Sequence, residues 1–196
     1  MSTRDTILDA AAHVIKTRGL GRATTKEIAK AAKFSEATLY KHFEDKEELF
    51  VTVLHERVPS FVPLQEALSI TPGNGDVREN LIDVVRAGCH YYADGFSMSA
   101  SIFSEPSLLA AHRTSLAKRG AGPQRASIAL AAYIRREQQL GRLSSIVDAA
   151  AMASLLMGAC LNYGFLNTFH GRESSDDEVD RLAVNAVNTL FDGAGV

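Results

Sequence analysis

Between Thr24 and Lys46 the chain gathers side chains suited to one kind of chemistry, contact with a polyanion and with base edges. Thr24, Thr25 and Lys26 stand where a helix should begin, and free backbone N–H groups beside a hydroxyl suit a phosphate. Farther on, Ala37 and Thr38 offer methyl groups of the kind that touch thymine. Tyr40, Lys41 and His42 can reach phosphates or base edges. Glu36 works the other way: its charge repels phosphate, yet it can accept a hydrogen bond from cytosine N4. Plainer readings stand beside these, a Tyr40 ring packed on the domain surface and lysines that serve solubility.

A short helical pattern positions these groups. Thr24 and Glu27 have the spacing in which each side chain caps the other's backbone N–H. Ile28, Ala29 and Ala32 then share one helix face, and Lys26, Lys30 and Lys33 the opposite one. Ser35 can cap a second helix in which Leu39 and Phe43 point inward, leaving Ala37 and Lys41 almost opposite them. Asp45 and Glu48 repeat the capping pattern and open a further helix. Two short helices, a tight turn and a polar outer face predict a helix-turn-helix whose second helix is sized for the DNA major groove.

The run ILDAAAHVIKTRGLGRATTKEIAKAAKFSEATLYKHFEDKEELF resembles the N-terminal domain of TetR-family transcriptional repressors, most specifically in ATLYKHFEDKEELF. The resemblance implies an all-α protein with a DNA-binding domain at 1–45 and a larger ligand-binding and dimerisation domain at 46–196. It assigns Thr24, Thr25, Lys26, Ser35, Glu36, Ala37, Thr38, Tyr40, Lys41 and His42 to the DNA interface, and makes Lys46 a phosphate ligand. Two positions depart from the family pattern. Lys33 stands in the turn where Gly is usual, and a left-handed residue with a side chain costs roughly 1–2 kcal/mol. Glu36 stands where a basic residue is common, which bears on the operator sequence rather than on DNA binding.

Charge is distributed to match. The 196 residues carry a net −2, but residues 1–43 hold eight Lys/Arg against four acids, and the remainder 13 against 19. A basic head on an acidic body suits a protein that meets a polyanion with one end. Cys89 and Cys160 lie in apolar helical patterns, so reduced core thiols of a cytoplasmic protein are expected. The N-terminus lacks the continuous apolar core of a signal peptide. Residues 149–169 form a run of 21 without a charge, the length of a membrane span. Ser154, Asn162, Asn167, Thr168 and an alanine-rich first half favour a buried helix of an aqueous protein.

Catalytic patterns are missing: no Gly-rich phosphate loop, no G-x-S-x-G elbow, no H-E-x-x-H pair. Six scattered histidines suggest no metal site, so neither enzyme nor cofactor is expected. The pattern along the chain predicts about nine helices and no strand. One runs from Lys46 until Pro59 and Pro63 break it, near Phe61. Another runs from Asp76 to about Ala93, where Gly95 ends it, and a short one follows before Pro106. The last two, at about 146–169 and 176–192, carry small and large apolar residues, and the family resemblance pairs them in a homodimeric four-helix bundle. That resemblance also implies a pocket for a small, mostly apolar ligand. Its candidate lining is Phe61, His90, Tyr91, Phe96, Phe103, Met152, Leu156, Cys160 and Tyr163, any of which could equally be plain core. The leading expectation is a homodimeric repressor released from a near-palindromic operator by that ligand. The rivals are a helical small-molecule binding protein or enzyme that does not use DNA, and a helical adaptor for another protein.

Overall fold

The computed structural model describes residues 2–19, 22–57, 61–103, 105–118, 120 and 122–193, apart from the side chains of 54, 55 and 101. Ten helices and no strand occur among them, one more helix than expected. The chain divides into two compact units, residues 1–58 with 97–122 and residues 59–96 with 123–196.

The first unit contains α1 (Thr3–Arg18), α2 (Thr25–Ala32), α3 (Glu36–Leu39) and α4 (Lys46–Glu56). It also takes the last residues of α6 (Val77–Ile102) and all of α7 (Pro106–Lys118). Ile7, Leu8, Ala11, Ile28, Leu39, Leu49, Phe50 and Val53 form its core, with Ile102 and Leu108 packed in. Capping side chains start each early helix: Ser2 with Asp5 on α1, Thr24 with Glu27 on α2, Ser35 on α3, Asp45 on α4. The helix from Lys46 is shorter than the sequence suggested. It stops at Glu56, and the guanidinium of Arg57, the next residue, bonds Asp9 at 2.7 Å and Asp5 at 3.0 Å on α1. Pro59 lies outside the described residues.

The second unit contains α5 (Phe61–Leu68), most of α6, α8 (Arg125–Gln139), α9 (Ala149–His170) and α10 (Asp176–Asp192). Pro63 sits within the first turn of α5, where an N–H has no partner inside the helix anyway. Gly95 does not end α6 as expected, and the short helix foreseen after it is the continuation of α6 to Ile102. A helical glycine costs only about 1 kcal/mol, which the buried Leu81, Val84, Val85 and Cys89 on the same helix outweigh. Close packing of α6 on α9 depends on two further glycines. A Cβ on Gly88 would lie 2.9 Å from Cys160 Sγ, and one on Gly164 would lie 2.7 Å from the Tyr92 carbonyl. Cys160 and Cys89 are both free and buried, and the hydrogen bond between them together with burial pushes the Cys160 thiol up.

Candidate nucleic-acid interface

Lys33 adopts the left-handed conformation that the turn demands, φ 61°, in place of the usual glycine. Its N–H and that of Phe34 return to the last carbonyls of α2, with Phe34 N donating to Ala29 O at 2.9 Å. The turn is therefore the ordinary helix-ending one, made with a side chain present.

Ser35 Oγ then accepts from Thr38 N at 3.2 Å and starts α3. Regular α-helix covers just Glu36–Leu39, but turns continue it, with His42 N and Phe43 N both donating to Leu39 O. Leu39 and Phe43 are buried beneath, whereas Glu36, Ala37, Tyr40, Lys41 and His42 are exposed. Tyr40 is 50% exposed, so its ring stands out from the surface. Thr24, at the start of α2, and Lys26 share the exposed side, and Thr25 is half-buried. The sequence pattern gave no sign of the bond from Thr25 Oγ1 to Glu36 at 2.9 Å. It turns the one acid on this face toward α2 and away from a purely base-directed role. Arg18 likewise pairs with Glu27, whose backbone bond from Thr24 holds its carboxyl below the usual range. Lys46 opens α4 with Nζ 5.0 Å from the centre of the Phe50 ring, which fixes the ammonium near the helix start.

The ligand candidates are more dispersed. Phe61 and Tyr91 touch, with ring centres 6.1 Å apart, and Phe96 meets Phe165 at 5.7 Å. Met152, Leu156, Cys160 and Tyr163 are buried along one side of α9. Tyr163 Oη lies 3.1 Å from Ser174 Oγ and accepts from Ser175 N at 3.3 Å, tying down the α9–α10 turn. His90 is partly exposed, 3.7 Å from Asp176. Phe103 belongs to the first unit and is 73% exposed, so it does not join the others. Tyr92, absent from the expected lining, is largely buried beside Tyr91, and burial pushes its hydroxyl up to about 12.

A capped helix, a left-handed turn and a short second helix with an exposed polar face define a helix-turn-helix DNA-binding domain. Residues 7–53 match the family model of the bacterial regulatory proteins, tetR family, so the chain carries the DNA-binding domain of that family. The HTH-type transcriptional regulator YvkB of Bacillus subtilis is 41% identical over 54 residues, 28% of this chain and 29% of YvkB. The match thus spans less than a third of that relative's length. Across 97% of this chain the fold is that of a protein assigned to the TetR family from Mesorhizobium loti, with TM-score 0.77, 21% identity and 95% of that chain covered. The transcriptional regulator FadR of Bacillus subtilis, in complex with stearoyl-CoA, has TM-score 0.67 at 18% identity, over 96% of this chain and 98% of FadR.

Proposed function

We propose that the chain is a homodimeric, cytoplasmic transcriptional repressor that leaves a near-palindromic operator when its second unit binds a small, mostly apolar ligand. The observation that carries the dimer is the surface of α9. It is, among the described residues, the one helix long and apolar enough to cross a membrane, yet 44% of its most apolar stretch is already buried within the subunit. Leu155, Leu161, Phe165, Leu166 and Phe169 on its other side remain 37–72% exposed. A wide groove of about 610 Å³ runs between α9 and α10, lined by Leu155, Leu182 and Leu190 among others. An aqueous protein covers such a face, and a second copy does so with its own α9 and α10. Two-fold symmetry then sets two recognition helices about one DNA turn apart.

DNA contact falls to Thr24, Thr25, Lys26, Ser35, Glu36, Ala37, Thr38, Tyr40, Lys41, His42 and Lys46. For the ligand, the fold shared with a stearoyl-CoA-bound regulator supports an acyl thioester. Its acyl group is the mostly apolar part that lies among the aromatic and Met side chains of α5, α6 and α9, and the coenzyme is a polar, anionic carrier. Full release requires the ligand to prefer the released form by about 5 kcal/mol, and operator DNA must weaken ligand binding by the same factor. No catalytic step is part of this reading.

The test is a gel shift on DNA upstream of the chain's own gene at low and high salt, repeated with stearoyl-CoA. Specific retention that stearoyl-CoA abolishes is the expected result. Loss of specificity would leave a helical binding protein that does not use DNA. A monomer by light scattering at micromolar concentration, with operator binding intact, would remove the dimer.

A further inference from the structure

One hollow in the second unit lies apart from the expected ligand lining and shares a single residue, Met152, with it. It has a volume of about 240 Å³. Its floor is the buried Ile134 and Met152, its walls the half-buried Leu143, Leu190 and Phe191. Ser144 and Val147, both exposed, stand at the mouth. A hollow of 150 Å³ lined by apolar side chains holds benzene, so this one takes a bicyclic molecule of about ten non-hydrogen atoms.

Its shape is held from several sides. Gln138 Nε2 donates to Ser144 O and to Val147 O, both at 2.8 Å, and pins the segment that forms the mouth. Phe191 is fixed from behind by the Arg78 guanidinium, 4.6 Å from the ring centre. Arg142, also in the lining, donates to Gly75 O through Nη2. Its Nε lies 3.3 Å from Glu137 Oε2, a carboxylate with no exposure to solvent. A hollow built this firmly loses little freedom when a ligand enters.

We infer that the hollow is a binding site for a neutral, compact, apolar molecule carrying one hydrogen-bond acceptor. The acceptor is called for by Arg142, the one cationic residue in the lining, whose Nη1 has no protein acceptor among the described residues. Neutrality follows from Glu137. The buried carboxylate already uses the charge of Arg142, and a second anion would have to share that one cation. Neither step depends on DNA binding or on the acyl ligand proposed above.

Calorimetry and amide NMR with 1-indanone, a bicyclic ketone, test this. 1-Indanone should bind, shifting amides near residues 138–152 and 190–191. Indane, which lacks the carbonyl, should bind about tenfold more weakly, the worth of one hydrogen bond to a charged donor. Val147→Phe, at the exposed mouth, should weaken 1-indanone at least about tenfold without lowering the melting temperature. Should that variant fold poorly, Ser144→Phe blocks the same opening. Absence of 1-indanone binding, shifts centred elsewhere, or unaltered binding by the blocked variant would overturn the site. Equal affinity for indane would overturn the acceptor, and tighter binding of 2-naphthoate would overturn neutrality.

Discussion

Replacing Gly164 by alanine adds one methyl group at the closest approach of α6 and α9. An ideal Cβ there meets Tyr92 C and O at 2.7 Å and Tyr92 Cβ at 2.8 Å, where ordinary contact begins at 3.4 Å. Two of those three atoms are backbone, so no rotamer change relieves the overlap. The helices must separate by some tenths of an ångström along a seam that includes Cys160 and Gly88. Overpacking of this kind costs about 1–3 kcal/mol, and the better helix propensity of alanine returns up to about 1. The net loss is roughly 1–2 kcal/mol, which lowers the melting temperature by about 2–8 °C in a chain of this size. Circular dichroism at 222 nm measures it. Gly158→Ala on the same helix supplies the contrast, since a Cβ there meets nothing within 4 Å in the subunit. It should raise the melting temperature through helix propensity alone, and a concentration-dependent fall would report a partner copy at that surface. A Gly164→Ala protein as stable as the parent would show that the α6–α9 seam is not tight.

Other perturbations probe the interface and the framework. Lys41→Ala and Lys46→Ala should weaken binding to all DNA sequences and flatten the salt slope by about one charge each, measured by fluorescence anisotropy at several salt concentrations. Lys33→Gly removes a side chain from the left-handed region and should stabilise the chain by up to about 1 kcal/mol in urea titration, with α2 and α3 unchanged. Glu137→Leu leaves Arg142 without its anion and the Gly73 N–H without its acceptor, and should cost roughly 3 kcal/mol by thermal melting. Asp148 caps α9 by accepting from Ala151 N at 2.8 Å, and this and a second backbone bond hold its carboxyl below the usual range. Its contribution is complete above the ordinary carboxylate value and disappears as pH falls through the lower folded one. Asp148→Asn keeps an acceptor that does not titrate, so melting temperature against pH should flatten on the acid side.

The helix starts were legible because a cap joins a side chain to a backbone group two or three residues away. Thr24 with Glu27, Ser35 and Asp45 all stand where that local rule places them. The exposed face of α3 was legible too, since 100° per residue sets Ala37 and Lys41 opposite Leu39 and Phe43. What failed was long-range. Gly95 looked like a stop because its cost is local, whereas the burial that outweighs it comes from elsewhere in the chain. Arg57, next to the end of α4, is tied to acids some fifty residues upstream, a pairing no local rule anticipates. The Thr25–Glu36 bond joins two helices, and no spacing rule anticipates it. Glu137 does carry a local signal: it falls three, four and seven residues after Ile134, Tyr133 and Leu130, an acid placed on the apolar face of α8.

The first unit is not a continuous stretch of chain, because residues 97–122 belong to it as much as residues 1–58 do. Ile102 and Leu108 are part of its core, and α7 packs along α4. A gene fragment ending anywhere before residue 97 would encode the recognition helix but leave part of that core open to water. Such a fragment should be poorly soluble, and grafting it onto a foreign partner should fail for the same reason. Recombination can exchange this head intact by carrying two separate coding segments, one of them beginning inside a helix. On the DNA contacts proposed above, base preference would thus be easier to change by point substitution on α3 than by swapping whole modules.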